Sequence, residues 1–461
     1  MNNHPSPSFI ALSGLGDDET NELLKDQAKL IAFYLPQFHR IKENSEWWGD
    51  GFTEWTNVVQ GKPNFEGHYQ PHLPQHFGFY DLSNIEVIRE QAEIAKLFGV
   101  YGFCFYHYWF SGRRILERPV EDFLKSDIDM NFCLCWANEN WTRTWDGDNK
   151  SILMEQKYAL GDDESFIASI IPYLKDSRYI KVDGKPLLLV YRAKELPEPK
   201  NSFKKWRTLV RDYGIEGLHI CAVDFYDISD PAEVEADALV EFPPHKFNGP
   251  QNQPSKMPKF INPKFLGSTL EYSKIIAQSM ERERPEYKLY RGIIPSWDNT
   301  ARRQDTPTIV INANPKLYGR WLAYLRAYTR KNLLQEDNFI FINAWNEWGE
   351  GCHLEPDLKW KAEYLKETYR SAFYTQEDIY LDNLMHKQVI SLADYVLSTG
   401  AFEESDQDGG EKNQISNDLR QYRPASGVAR KIGERLRAHP RLHAVAKFMY
   451  TVLINFRSTK S

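Results

Sequence analysis

Apolar runs rich in Val, Ile, Phe and Tyr recur along the chain and alternate with segments whose apolar residues fall at helical spacing. Eight runs read as strands: Leu30–Gln37, Tyr101–Tyr108, Asn131–Ala137, Pro186–Tyr191, Leu218–Asp224, Ala238–Glu241, Gly292–Trp297 and Asn338–Ala344. Helices are predicted between them, among them Asn84–Leu97 before Gly99, Trp206–Tyr213 before Gly214, and Pro315–Lys331. Strand and helix in alternation require parallel pairing, because parallel neighbours need a long return path. Eight such units predict an α/β fold, a (β/α)8 TIM-type barrel with a long first βα loop and a C-terminal helical tail. A doubly wound open sheet is the competitor, but no glycine-rich dinucleotide loop follows the first strand.

The first connection, His39 to Asn84, has little helical pattern and reads as a cover over one barrel face. It carries His68, His72 and His76 four apart, yet Pro71 and Pro74 forbid the regular helix that would align them, so no metal is expected there. The predicted partition is an N-terminal extension (1–28), a catalytic barrel (29–376), a helical extension (377–399), a flexible linker (400–427) and a basic amphipathic segment (428–461). The apolar stretch Leu442–Phe456 contains Lys447 and is too short to cross a hydrocarbon core of about 30 Å. It suits an interface beside anionic lipid, or packing back on the body or a second subunit.

Charge sharpens that division. The chain carries a net −7, but 428–461 holds eight Lys and Arg against one Glu, leaving an acidic body that argues against nucleic acid as a partner. No basic region followed by an apolar stretch opens the chain, so a cytoplasmic location is expected, with 428–461 at the inner face of the cytoplasmic membrane as one reading. Of five cysteines, Cys104, Cys133, Cys135 and Cys221 lie in apolar runs and read as buried, reduced thiols. Aromatic residues make up 14% of the chain, with 13 Trp and 25 Tyr, more than a core needs, and flat rings with polar rims pair well with sugar faces.

Polar and aromatic residues cluster immediately after the strands, where this fold builds active sites. They include Gln37-Phe-His39, His107-Tyr-Trp109, Asn138-Glu-Asn-Trp141, Asp224, Glu241, Trp297-Asp298 and Asn346-Glu347. The last strand runs into Asn343-Ala-Trp-Asn-Glu-Trp-Gly-Glu-Gly351. Glycosyl transfer passes through an oxocarbenium-like state and needs two carboxyl groups, which Glu347 and Glu350 supply. Gly349 and Gly351 let the backbone turn so that both reach one sugar. Burial beside Trp would raise one of the two pKa values and favour the acid role, with either glutamate a candidate. The carboxyl pair does the proton work, so neither metal nor other cofactor is expected.

Sugar binding is expected from Trp47, Trp48, Glu54 and Trp55 in the first loop and from Tyr106, His107 and Trp109 after the second strand. Further candidates are Trp136, Asn138, Glu139, Asn140, Trp141 and Arg143, then Trp297 and Asp298, then Trp345, Asn346 and Trp348 beside the glutamates. Asn and Glu would bond hydroxyl groups and Trp would stack on rings. Arg143 would either pair with Glu139 or meet a phosphate.

Six ordered motifs carry a resemblance: Phe33-Tyr-Leu-Pro-Gln-Phe-His39, Trp47-Trp-Gly-Asp-Gly-Phe-Thr-Glu-Trp-Thr-Asn57, His68-Tyr-Gln-Pro-His72, Gly102-Phe-Cys-Phe-Tyr-His-Tyr-Trp-Phe110, Leu134-Cys-Trp-Ala-Asn-Glu-Asn-Trp-Thr-Arg143 and Trp345-Asn-Glu-Trp-Gly-Glu-Gly351. From about Lys29 to Tyr374 the chain resembles the WbsX-like glycosyltransferases of bacterial surface polysaccharides. That family in turn resembles the family-99 glycoside hydrolases, endo-α-mannosidases and endo-α-mannanases with (β/α)8 barrels. The resemblance implies a retaining reaction through a 1,2-anhydro sugar, with Glu347 as base toward the 2-hydroxyl and Glu350 as acid/base at the glycosidic oxygen. Gly349 stands where those hydrolases have His.

Three functions follow. The first is a glycosyltransferase of surface polysaccharide (lipopolysaccharide O-antigen or capsule) biosynthesis, with a sugar donor and a glycan or lipid-linked oligosaccharide acceptor as partners. The second is a retaining endo-α-glycosidase, and the third a non-catalytic carbohydrate-binding barrel. No P-loop or Rossmann fingerprint marks a nucleotide site.

Overall fold

The computed structural model describes residues 27–374 except 144–147, with the side chains of 142–152 and of 335 also left out. The expectations for 1–26 and for everything after 374, including the helical extension, the linker and the basic segment, lie outside the described residues.

Eight parallel strands close on themselves: β1 Lys29–Tyr34, β2 Val100–Phe110, β3 Asn131–Trp136, β4 Lys185–Val190, β5 His219–Val223, β6 Ala238–Val240, β7 Leu289–Ile293 and β8 Phe339–Ile342. Each pairs with its sequence neighbours, and β1 pairs with both β2 and β8, which leaves no edge. Each of the eight predicted runs overlaps a barrel strand, but the seventh was placed too late: Gly292–Trp297 was expected, and the strand is Leu289–Ile293, so only Gly292 and Ile293 are common to both.

The helices lie outside: α1 Ile85–Leu97, α2 Arg118–Lys125, α3 Asp162–Leu174, α4 Pro199–Leu209, α5 Tyr272–Glu281, α6 Pro315–Asn332 and α7 Glu363–Arg370. Local sequence explains their limits. The Asn84 side chain accepts the Glu86 N–H at 3.2 Å and starts α1, which buries Ile88, Gln91, Ala92 and Ala95 along one stripe. Asn314 caps α6 in the same way, with Pro315 at its first position. The predicted helix Trp206–Tyr213 is the end of a longer element. It begins at Pro199 and tightens to 3-10 geometry over Val210–Tyr213 before Gly214. Between β5 and β6 the crossover helix is reduced to the 3-10 turn Pro231–Glu233, capped by Asp230.

The period-two alternation of β2 decides which residues can meet a ligand. Phe103 and Phe105 face the helices, where Phe105 packs on Phe123 of α2. Tyr106 points inward and stacks with Phe33, which in turn touches Phe242 and Phe341 across the barrel. The five cysteines are buried and unpaired with one another. The long first connection contains two short helices, Lys42–Trp48 and Glu54–Val58. Residues 73–75 of the same connection run against 356–358 through backbone hydrogen bonds.

Candidate active site

A cavity of about 520 Å³ opens at the C-terminal ends of the strands, and Glu347 and Glu350 form part of its wall. After β8 the chain makes a two-residue strand, Asn346–Glu347, that pairs back with Cys352–His353. A 3-10 turn, Trp348–Glu350, joins the two and ends at Gly351 with φ +56°. A side chain at 351 would press within 3.0 Å of Asp298, so glycine is needed on two counts. The Asp298 N–H donates to the Glu350 carbonyl at 2.6 Å and fixes the turn from the far side.

Arg302, on the loop after β7, organises the carboxylates. Its Nη2 donates to Glu347 Oε2 at 3.0 Å, its Nη1 lies 2.9 Å from Glu350 Oε1, and its Nε donates to Glu54 Oε1 at 2.7 Å. One guanidinium thus meets three carboxyl groups in a poorly hydrated place. Burial raises the Glu347 pKa against the pull of Arg302, with Glu350 and Glu54 adding to the rise, and it reaches about 8. Burial raises Glu350 as well, again opposed by Arg302. Glu347 is the more enclosed of the two, with 7% of its side chain exposed against 21%.

Gly349 has a clear spatial role. A Cβ there would overlap the Glu54 carboxylate and lie 2.8 Å from Arg302 Nε. The space beside the glutamate pair is occupied by the Glu54–Arg302 contact, which only glycine leaves room for.

The opposite wall is aromatic and polar: Tyr106, Tyr108 and Tyr191 from strand ends, with Trp48, Trp141 and Trp297 from loops. Gln37 and Trp297 also line the cavity, and each carries a buried N–H donor with no partner among the described residues. Glu139 pairs with Arg192 at 3.3 Å, and burial raises its pKa to about 7 against that pairing. The pairing or phosphate contact expected of Arg143 lies outside the described residues.

Of the residues expected to bind sugar, the structure brings Trp48, Tyr106, Glu139, Asn140, Trp141 and Trp297 to the cavity. Trp47 stands behind Trp141, at 5.7 Å between rings, and Glu54 behind the glutamate pair. The others are placed elsewhere, for reasons of backbone geometry. On β2, His107 and Trp109 alternate with Tyr106 and Tyr108 and therefore face α3. His107 packs near Phe166 and Tyr173, its pKa lowered by burial to about 3, while Trp109 packs on Trp136 and Phe166. Trp136 stacks on Phe166 at 4.3 Å.

Asn138 is a brace, bonding the Arg192 backbone and the Tyr158 hydroxyl. Trp55 donates its indole N–H to the Tyr80 carbonyl and packs on Trp348. Asn346 ties the Glu347 strand to the Leu35 backbone at 2.7 and 3.0 Å, and Trp345 packs on Phe103. Trp348 donates to buried Glu355 at 2.6 Å and stacks on His353. The Asp298 carboxylate accepts bonds from His68 at 2.6 Å and Gln70 at 2.7 Å. Burial raises its pKa, but the His68 bond, the nearby His72 and Thr300 outweigh it and hold the pKa below its ordinary value.

Sequence reading missed Arg302, Arg303, Tyr108, Tyr191, Arg192 and His245, all of which line the cavity. Tyr108 could have been found, since it is two positions from Tyr106 on one strand.

With this geometry in view, the kinship of the chain is informative. The model of the family described as Glycosyltransferase WbsX matches residues 30–368, the whole barrel. The chain belongs to that family. It is 44% identical over 333 residues to the uncharacterized protein WxcX of two Xanthomonas campestris pv. campestris strains, ATCC 33913 and B100. These alignments cover 72% of the chain and 48% of each relative, so the chain spans about half the length of the curated relatives it matches.

Among solved structures it is similar to a glycoside hydrolase-like protein (TM-score 0.48, 16% identity, 79% of this chain and 99% of that one). It is also similar to the GH99 endo-alpha-mannosidase from Bacteroides thetaiotaomicron, at TM-score 0.45 and 14% identity over 78% of this chain and 98% of that one. Among the described residues of this WbsX-family chain, no helix is long and apolar enough to cross a membrane.

Proposed function

We propose that this member of the WbsX family transfers glycosyl groups in the biosynthesis of a bacterial surface polysaccharide such as an O-antigen or capsule. Membership of the family supports transfer. The observation that carries the chemistry is the pair Glu347 and Glu350, facing an aromatic-lined cavity and sharing Arg302. Three carboxyl groups around one guanidinium cannot all be ionised cheaply, so the group keeps a proton at neutral pH, as a general acid must.

In the proposed reaction the proton of the pair passes from Glu347 to Glu350 as the sugar binds, and the freed Glu347 carboxylate takes the proton of the sugar 2-hydroxyl, whose oxygen attacks C1 while the bond to the leaving group breaks. Glu350 protonates the leaving oxygen. The acceptor hydroxyl then opens the 1,2-anhydro ring as Glu350 removes its proton and the 2-oxygen regains one from Glu347. The unpartnered donors of Gln37 and Trp297 are suited to sugar hydroxyls, and Tyr106, Trp48 and Trp141 to ring faces.

A retaining endo-α-glycosidase is the second reading, favoured by the same carboxyl pair, with water in place of the acceptor. Incubation with lipid-linked acceptor and nucleotide sugars, and separately with α-mannan oligosaccharides, tests both. Transfer without hydrolysis is expected, and hydrolysis alone would overturn the transferase reading.

A further inference from the structure

Three histidines of the first connection, four residues apart, are sent to three different places. His68 bonds Asp298, and His76 bonds Glu90 at 3.0 Å. His72 is buried, and its Nδ1 lies 3.0 Å from Nε2 of His353, in the strand that follows the Glu347–Glu350 turn. Asp357 completes a buried group: one ligand atom from each of His72, His353 and Asp357 lies within 4.8 Å of the others.

We propose that His72, His353 and Asp357 bind a divalent first-row metal ion, Zn²⁺ in the first instance. The proposal is independent of which glycosyl reaction the cavity performs.

The donor set and its surroundings fit. His353 Nδ1–H donates to the Glu355 carbonyl at 2.9 Å, so the Nε2 lone pair of the neutral ring is directed toward His72. An imidazole oriented by a carbonyl through its other nitrogen is the usual arrangement of a ligating histidine. In the metal-free protein the Nδ1–H of His72 donates to His353. On binding that proton moves to Nε2, so no charge leaves the ring. Tetrahedral Zn–N bonds of about 2.0–2.1 Å put two nitrogens about 3.4 Å apart, a small opening from 3.0 Å.

Asp357 receives the Trp360 N–H on Oδ1 at 2.5 Å, which orients its carboxylate, and the buried Tyr69 hydroxyl stands in the field of that carboxylate. A water held by Tyr69 suits the fourth position. No cysteine is close enough to join this group among the described residues.

The location gives the ion a task. His72 comes from the first connection, while His353 and Asp357 come from the loop carrying the glutamate pair, and 73–75 already run along 356–358. The His353 ring stacks on Trp348 at 3.7 Å, and Trp348 lies between Glu347 and Glu350 in the turn. A metal here would staple the cover of the barrel to the back of the carboxyl turn.

The test is elemental analysis of the full chain, purified without metal-affinity resin, loaded with Zn²⁺ and desalted. The expected result is one Zn²⁺ per chain, falling at least tenfold in His72→Gln and in Asp357→Asn, with a melting temperature that rises on Zn²⁺ addition in wild type only. Background metal in wild type, or unchanged stoichiometry in both variants, would overturn the proposal. Should the variants not fold, X-ray absorption on the Zn²⁺-loaded wild type decides. Two imidazole nitrogens with oxygen, and no sulfur, are expected, and a sulfur ligand or absence of imidazole scattering refutes the site.

Discussion

Two carboxylate clusters stand at strand ends of this barrel, and they differ in the ratio of cations to carboxyl groups. After β5 and β6, Asp224 and Glu241 meet Lys246, Arg282 and Arg291, with Lys246 2.6 Å and Arg282 3.1 Å from Asp224, and Arg282 2.6 Å and Arg291 2.9 Å from Glu241. Despite burial, the two arginines and the Gly292 N–H hold the Glu241 pKa below its ordinary value. After β8, Glu347, Glu350 and Glu54 share Arg302, and burial takes Glu347 and Glu350 upward. Both clusters occupy positions where a barrel places chemistry. Of the two, the cation-poor cluster is the one whose glutamates are pushed toward holding a proton, as the acid–base role proposed for it requires.

The largest effect that sharpens this contrast is on activity. Glu347→Gln and Glu350→Gln should each lower the transfer rate by about 10²–10⁴-fold, the usual worth of a positioned acid or base, while Glu241→Gln should affect rate only through stability. Initial rates normalised to folded protein measure this, and a Gln variant at wild-type rate would remove the pair from the mechanism.

Next comes the shared cation. Arg302→Met strands three carboxyl groups and should destabilise by about 3–5 kcal/mol in urea unfolding, as should Arg291→Met at the other cluster. Their pH profiles should differ. Loss of Arg302 moves the alkaline limb of any residual activity to higher pH, because the cation that favoured ionisation is gone, whereas loss of Arg291 leaves the profile in place.

A smaller effect is expected at Gly349. The Ala variant forces the Glu54 carboxylate from Arg302. A rate loss of about tenfold and a melting temperature lower by a few degrees are expected, since a one-ångström misplacement near reacting groups is costly. An unchanged rate would mean that the Glu54–Arg302 contact does not position the pair.

The smallest effect is on the pH dependence of stability, and the two clusters should show opposite signs. Glu347 binds its proton more tightly when folded. Its contribution is therefore fully present below the unfolded carboxylate value, about 4.3, and is lost as pH rises toward about 8. Glu347→Gln should flatten the fall in stability across that window. Glu241, with its lowered folded pKa, contributes above the unfolded value and loses that contribution as pH falls through the folded one. Glu241→Gln should accordingly flatten the acid limb instead. Thermal melts from about pH 2 to 9 resolve the two, and parallel slopes for both variants would collapse the distinction.

Much of this arrangement was legible in the sequence. A buried parallel strand is a continuous apolar run, so seven barrel strands were visible before pairing was known, while the seventh in chain order, interrupted by Arg291 and Gly292, was read three residues too late. Glu347 and Glu350 were visible as candidates because the motif joins the end of β8 directly to the cavity wall. The errors arose where adjacent residues were assigned to one cavity without applying strand alternation. His107 and Trp109 went with Tyr106 on composition, although only Tyr108 can share its face.

Arg302 was illegible for a different reason. It lies on an irregular loop after β7, 45 residues before Glu347, and no local pattern indicates that this loop folds over the turn. The histidines of the first connection show the same limit. Their regular spacing pointed to one another, but His72 found its partner 281 residues away.

The functional reading rests on a carboxyl group that stays neutral where its counterpart is ionised. Infrared titration of wild type, Glu347→Gln and Glu241→Gln near pH 7 observes this directly through the carbonyl band of a protonated carboxyl. The account predicts such a band in wild type and in Glu241→Gln, and a weaker one in Glu347→Gln, where Glu139 and Glu355 still contribute. No protonated-carboxyl band in wild type, or one that disappears with Glu241 instead, would contradict it.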